Sequence, residues 1–218
     1  MTSLIKDNYN KIIEYDKNTM KDMFPIEPNI DYSKLQMTTE GMYSITYSYY
    51  AEKITNFIKQ SLSDDKIDKM IITDATANVG GNSLNFSKYF KSVNSIEISD
   101  INCKVLKNNL IDVYKRNNVN IICSDFLSIY KDLEQDIIFM DPPWGGKNYK
   151  KKKNIVLKLS NVNISLIIKE CFKHKLANML VIKVPSNINL NELVRNIHYK
   201  KIEFFKIKNY GLIIIKNI

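Results

Sequence analysis

"IITDATANVGGNS" (residues 71–83) begins as an apolar, β-branched run and stops at Asp74. It then passes through small residues to a pair of glycines and leads into a segment of helical length. A strand that ends in an acid and turns through glycine into a helix is the expected first crossing of a doubly wound α/β fold. That crossing lies at the carboxyl edge of the sheet, where ligands bind and where small residues let the backbone approach them.

Downstream, short apolar runs recur at KMIITD (69–74), VNSIEIS (93–99), VNIICS (119–124), DIIFMD (136–141) and MLVIKV (179–184). The segments between them, 82–91, 101–117, 126–134 and 163–176, are long enough for crossover helices. Runs apolar on both faces, alternating with helices, predict a parallel sheet covered on both sides. KIEFFKI (201–207) and GLIIIK (211–216) are separated only by Lys208, Asn209 and Tyr210, a hairpin-length gap, so an antiparallel pair should finish the sheet.

Upstream, the spacing of Ile5, Tyr9, Ile12 and Ile13 predicts a helix over 5–23, stopping before Pro25 and Pro28. FPIEPNIDYSKLQ (24–36) reads as an extended linker. Residues 46–62 form a second amphipathic segment with Tyr50, Ile54, Phe57 and Ile58 on one side. Residues 1–62 are thus expected to be an N-terminal helical extension that packs on, and contributes to the site of, an α/β domain over 63–218.

The composition, 44% hydrophobic and 25% charged over 218 residues, is that of a globular protein with a full core. A formal charge of +9 favours a polyanionic partner such as nucleic acid, although heavy use of Lys, Asn, Ile and Tyr also reflects A/T-rich coding. Cys103, Cys123 and Cys171 form no Cys-x-x-Cys or Cys/His pattern. They predict reduced thiols, with neither a disulfide frame nor a zinc site. Neither a signal-length apolar stretch at the start nor a membrane-length uncharged run is visible. The expectation is a soluble intracellular protein of nucleus or cytoplasm, with no membrane partner, from an A/T-rich protist or a large DNA virus.

Acids recur at the strand ends. Glu97 ends the second run, where it can hold both ribose hydroxyls of an adenosine cofactor. The dinucleotide fingerprint G-x-G-x-x-G is absent, and an acid in the loop is unfavourable to a pyrophosphate. S-adenosylmethionine, with an ammonium and a sulfonium, fits better, with Asp74 facing the ammonium. Asp125 and Phe126 follow the third run, placed to accept from the adenine amino group and to lie on its ring. Each residue alone also reads as a turn acid, a helix cap or a core aromatic.

"FMDPPWGGK" (139–147) follows the fourth run on the same edge. Pro142 and Pro143 remove two N–H donors, so their carbonyls and the Asp141 carboxylate present acceptors. That suits an amino group on an aromatic ring: acceptors on its hydrogens aim the lone pair at a methyl donor and stabilise the charge that develops. Trp144 offers a face for a flat base, worth about 1–3 kcal/mol. The lysines of KNYKKKK (147–153), beginning with Lys147, are candidates for contacts with phosphates.

Asp-Pro-Pro-Trp after the fourth strand resembles the motif of enzymes that methylate exocyclic amines of nucleobases. Together with VGGNS (79–83), IEISDINCKVLKNNLIDVY (96–114), IICSDFL (121–127), KLQMTTEGMYSITYSYYAEKI (34–54) and VPSNINLNEL (184–193), it is similar to the trimethylguanosine synthase family of cap guanine-N2 methyltransferases. The likeness spans about residues 34–216. It implies a Rossmann-like class I methyltransferase: a mainly parallel seven-stranded sheet with an antiparallel C-terminal hairpin and an N-terminal helical appendage.

The resemblance also implies roles. Asp74, Gly80 and Asn82 would hold the methionine end of S-adenosylmethionine, with Thr46 near the cofactor, Glu97 on the ribose, and Asp125 and Phe126 on the adenine. Asp141 and Pro142 would receive the guanine amine, and Trp144 would stack on 7-methylguanine, whose charge adds a cation–π contribution of about 0.5–2 kcal/mol. Glu40, Lys147 and Asn187 would complete the cap site on the RNA. No metal is implied. The family loop usually reads Asp-x-Phe-Cys-Gly-x-Gly-Gly-Asn; here Thr76, Ala77 and Asn78 replace Phe-Cys-Gly, and Asn78 is the residue type best able to keep a left-handed turn. Two other readings stay open: an adenine-N6 methyltransferase, and a non-catalytic RNA-binding subunit with this fold.

Overall fold

The computed structural model describes residues 10–62, 66–146, 149 and 155–217. The chain runs β1 (Ile12–Ile13), α1 (Lys17–Met23), β2 (Met37–Thr38), α2 (Gly41–Ser44), α3 (Ser48–Ser61), β3 (Ile71–Asp74), α4 (Gly81–Phe86) and β4 (Ser92–Glu97). It continues through α5 (Asp100–Lys107), β5 (Val119–Cys123), α6 (Phe126–Ile129), β6 (Ile137–Met140), β7 (Lys158–Leu159), β8 (Val162–Asn163) and α7 (Ile164–Lys173). Then come β9 (Met179–Pro185), α8 (Leu190–Leu193), β10 (Lys201–Ile207) and β11 (Tyr210–Lys216).

Seven strands form the main sheet in the order β10-β11-β9-β6-β3-β4-β5. The run from β5 to β9 is parallel, and β11 lies antiparallel between β9 and β10. The α/β class, the parallel sheet and the closing hairpin are as the sequence predicts. Burial follows position. Every residue of central β6 and β9 is buried, whereas edge strand β5 has only partly buried and exposed positions and β10 buries Ile207 alone.

Alternate side chains of each strand feed opposite layers. Ile137 and Phe139 meet Ile54 and Ile58 of α3 and Phe86 of α4 on one face. Ile138 and Met140 meet Ile164, Ile167, Ile168 and Phe172 of α7 on the other. A third cluster joins Met20, Met23, Phe24, Tyr32 and Met37 to Val105, Leu106 and Leu110, so residues 20–37 cover α5.

Three expectations are corrected. Ile12 and Ile13 are not helical; they pair with Thr38 and Met37 as a small antiparallel ribbon. The helix starts only at Lys17, where the Asp16 carboxylate accepts from the N–H groups of Asn18 and Thr19. Residues 24–36 are no loose linker: Phe24 is fully buried, and the Pro25 carbonyl accepts from the hydroxyls of Tyr32 (3.1 Å) and Tyr114 (2.5 Å). Finally, Cys103 and Cys123 are joined by a disulfide, while Cys171 is free and buried. The packing of α5 against β5 brings their Cα atoms to 5.8 Å, a closeness that a sequence separation of 20 does not announce.

Candidate active site

The strand order reverses between β3 and β6, since β4 and β5 add on one side of β3 while β6 and β9 add on the other. The crevice at such a switch point, beyond the carboxyl ends of the strands, is where open α/β sheets bind ligands. Asp74 ends β3, Glu97 ends β4, and Asp141 and Asp125 lie just beyond β6 and β5. Backbone hydrogen bonds from Ala75 to Phe139 (2.9 Å) and from Ala77 to Ile96 (2.8 Å) tie the loop after β3 to both neighbours.

Asp74 is wholly buried. It accepts from the Ser83 hydroxyl at 2.7 Å and from the Thr76 N–H at 3.3 Å. Burial, opposed by those two donors and reinforced by the charges of Asp141 and Glu97, pushes its carboxyl up to about 7. Glu97 accepts from the N–H groups of Asn78 and Ser99, each at 2.8 Å. Burial lifts it to about 7 as well; the two backbone donors oppose the rise and the charge of Glu40 adds to it. Two buried acids with raised pKa values form a site that gains from a cationic ligand.

The loop between them is shaped by special backbone. Asn78 has φ +50° and accepts from the Val79 N–H with its own side chain, so asparagine supplies the left-handed turn. Gly80 has φ +106°, and a Cβ there would stand 2.3 Å from Leu110 Cδ1. Asn82 Nδ2 donates to Thr46 Oγ1 at 3.1 Å; its Oδ1 is buried with no partner among the described residues. An orphaned acceptor here fits a ligand that brings a donor, as an amino acid moiety does.

Thr46 therefore sits at this loop. Glu40 lies on the Glu97 side, accepting from Asn102 Nδ2 at 2.9 Å and Asn10 Nδ2 at 3.2 Å. Asp125 caps α6 by accepting from the Leu127 N–H at 3.0 Å. Phe126 is 2% exposed and packs on Tyr130 in the core layer below.

At the end of β6 the Asp141 N–H donates to Thr76 Oγ1 at 2.8 Å, and Asp141 Oδ2 accepts from Lys183 Nζ at 2.6 Å. Burial pushes this carboxyl up and the Lys183 ammonium pulls it back. Pro142 is buried, and Gly145 and Gly146 take φ of +92° and +72°, a reversal that turns the chain just after Trp144. The Trp144 ring meets Tyr149 edge-on at 5.2 Å and Tyr210 at 6.2 Å between centroids. Asn187 donates to the Tyr149 carbonyl at 3.0 Å, which brings it to the same corner. Trp144 Nε1 and the Tyr210 hydroxyl are buried without partners among the described residues. Lys147 and most of the lysine run lie outside the described residues.

Apart from Asp125 and Phe126, which stay at the start of α6 beyond β5, the described predicted residues fall into two groups. Asp74, Gly80, Asn82, Thr46, Glu97 and Glu40 gather around the β3 loop, and Asp141, Pro142, Trp144 and Asn187 around the end of β6. Sequence reasoning missed Lys183 and Tyr210, which join Asp141 to Trp144. A lone lysine inside the apolar run MLVIKV was the available signal, because a charge is rarely buried there without a partner. Among the described residues no group of three or more His, Cys, Asp or Glu could hold a metal, and no helix is long and apolar enough to cross a membrane.

Comparison with known proteins bears on the family and the fold. Residues 69–214 match the family model described as RNA cap guanine-N2 methyltransferase. An uncharacterised protein of Acanthamoeba polyphaga mimivirus is 34% identical over 215 residues, covering 89% of this chain and 84% of its own. The trimethylguanosine synthase of Schizosaccharomyces pombe is 31% identical over 187 residues, covering 79% of this chain and 75% of that protein. Among solved structures, a T. thermophilus 16S rRNA N2 methyltransferase in complex with AdoMet and guanosine superposes with a TM-score of 0.58. It covers 77% of this chain and 43% of that one at 11% identity, a likeness of fold.

Proposed function

The chain belongs to the RNA cap guanine-N2 methyltransferase family, and from that and the site we propose that it methylates the exocyclic N2 amine of a 7-methylguanosine RNA cap, using S-adenosylmethionine. The observation that carries this reading is the placement of Asp141, Pro142 and Trp144 beside Asp74, across the point where the strand order reverses. Amine acceptors and a stacking face stand next to acids that need a cation.

S-adenosylmethionine supplies an electrophilic methyl group. Asp74 holds its ammonium, Asn82 Oδ1 accepts from the same end, and Glu97 takes the ribose hydroxyls with the lone pairs that Asn78 and Ser99 leave free. Asp125 and Phe126 serve the adenine, Asp125 with lone pairs that the Leu127 N–H does not use. Glu40, expected in the cap site, is assigned instead to the ribose side, since it reaches Glu97 through Asn102, which the two share.

Asp141 and the Pro142 carbonyl accept from the guanine N2 amine, orienting its lone pair and stabilising the charge that grows on nitrogen. The proton released passes to Asp141 or to water. Trp144 stacks on the base, while its Nε1 and the Tyr210 hydroxyl stand ready as hydrogen-bond groups for a ligand. Asn187 lines the same pocket, and Lys147 with the following lysines meets the cap phosphates. The segment up to Leu62 completes the site through Thr46 and Glu40, and the residues from 63 onward form the methyltransferase domain. The protein acts on RNA inside a cell, in nucleus or cytoplasm, and its mimivirus relative supports a viral source.

Offering labelled S-adenosylmethionine with 7-methyl-GTP in one reaction and an adenine oligonucleotide in another tests this reading. Label on the cap analogue is expected; label on the oligonucleotide alone would shift the target to adenine N6. Label on neither, without binding of S-adenosylhomocysteine, would make the protein a non-catalytic RNA binder.

A further inference from the structure

Lys183 is a charge in the middle of β9, whose seven residues are all buried. Its ammonium donates to Asp141 Oδ2 at 2.6 Å and to Thr46 Oγ1 at 3.0 Å. It also lies 4.8 Å from the centre of the Tyr210 ring and 5.7 Å from that of Trp144. The Lys183 side chain is 9% exposed and that of Asp141 17%. A charge this enclosed is tolerated only where it is paired and hydrogen-bonded, and here one carboxylate, one hydroxyl and two aromatic faces surround it.

The groups facing Asp141 come from three strands. Asp74 on β3 and the Tyr210 phenol on β11 are acids whose ionisation is opposed by a charge on Asp141. The hydroxyls of Thr46 and Thr76 are neutral. Lys183 on β9 is the group among these that favours the carboxylate.

We propose that Lys183 is the positioning residue for the acceptor at the end of β6: it keeps Asp141 ionised and fixes Oδ2, leaving Oδ1 to receive the substrate amine. This rests on reading Asp141 as that acceptor. A carboxylate accepts from an amine and stabilises the positive charge that methylation builds, whereas a protonated carboxyl offers one donor where an acceptor is needed. Burial alone drives Asp141 toward the protonated form. The ammonium opposes that, and pairing the two leaves no net charge beside the proposed place of a cationic base.

The single tryptophan, Trp144, stands beside the pair, so its fluorescence followed against pH reads the ionisation with no substrate present. In Lys183→Met the acid transition should move upward by about one pH unit or more, equal to at least about a tenfold change in proton affinity. Lys183→Arg should return it to the wild-type midpoint, and Asp141→Asn should abolish it. In turnover, the acid limb of kcat/KM for Lys183→Met should move upward by the same amount, with activity recovering at alkaline pH. An unmoved midpoint in Lys183→Met, or a transition that persists in Asp141→Asn, would overturn the proposal. Should the methionine variant fail to fold, Lys183→Gln takes its place with the same expected upward shift, and an unmoved midpoint there would overturn the proposal. If wild-type protein methylated no cap analogue, the functional reading would fall while the fluorescence result stood.

Discussion

The backbone N–H of Asn78 donates to the Glu97 carboxylate at 2.8 Å, so the turn after β3 and the end of β4 behave as one unit. The same carboxylate that is assigned to the ribose also holds the left-handed turn in place. Replacing Glu97 with alanine should therefore weaken S-adenosylhomocysteine by roughly 10- to 150-fold, the range of about 1.5–3 kcal/mol for hydrogen bonds to a charged group. Titration calorimetry measures this directly; an unchanged Kd would remove Glu97 from the cofactor site.

Asp74 and Glu97, both lifted to about 7 in the free protein, make binding pH-dependent. A cationic ligand end at Asp74 and hydroxyl donors at Glu97 favour the ionised forms, so affinity for S-adenosylhomocysteine should rise from pH 6 to pH 8 and then level off. Stability of the free protein should move the other way. Folded pKa values above the unfolded ones mean that the native state holds protons the unfolded chain has lost. Their contribution is complete below about pH 4 and disappears as pH rises through 7. Binding isotherms and melting curves across this window test both signs.

Gly80 is held at φ +106°, and an added Cβ would meet Leu110 Cδ1 at 2.3 Å. Gly80→Ala should cost about 1–3 kcal/mol from backbone strain and overpacking together. Asn78→Gly, at φ +50°, should stay within about 1 kcal/mol of wild type because glycine adopts that turn freely. Denaturant unfolding of the two variants separates them.

If Trp144 carries the base, Trp144→Ala should raise KM for 7-methyl-GTP by about 5- to 150-fold, equivalent to roughly 1–3 kcal/mol of lost stacking. Trp144→Phe keeps a ring and should lose less. Steady-state kinetics with equal affinity for S-adenosylhomocysteine in both variants would assign the loss to the base pocket.

Much of this was legible in the chain because the informative signals are local. Runs such as IIFM and MLVIKV are apolar on both faces, which only a sheet covered on both sides requires, and the acids stand at the ends of those runs. Asn78 could be assigned its turn from the steric tolerance of asparagine, and it has φ +50°. What could not be read depends on contacts between distant segments. Ile12 and Ile13 fit a helical spacing until Met37 and Thr38 provide a partner strand. Cys103 and Cys123 meet only because α5 packs against β5. Lys183 looks like an interruption in a core strand until Asp141 and Thr46 are brought beside it, the latter from 137 residues away.

The proposed function stands or falls with the Asp141–Trp144 corner as the place where a guanine amine meets a methyl donor. Its most direct test is methyl transfer from labelled S-adenosylmethionine to 7-methyl-GTP, with GTP alongside and an Asp141→Ala protein as control. Label on 7-methyl-GTP, little or none on GTP, and loss in the variant is the predicted result. Equal labelling of GTP, or undiminished transfer by Asp141→Ala, would contradict it.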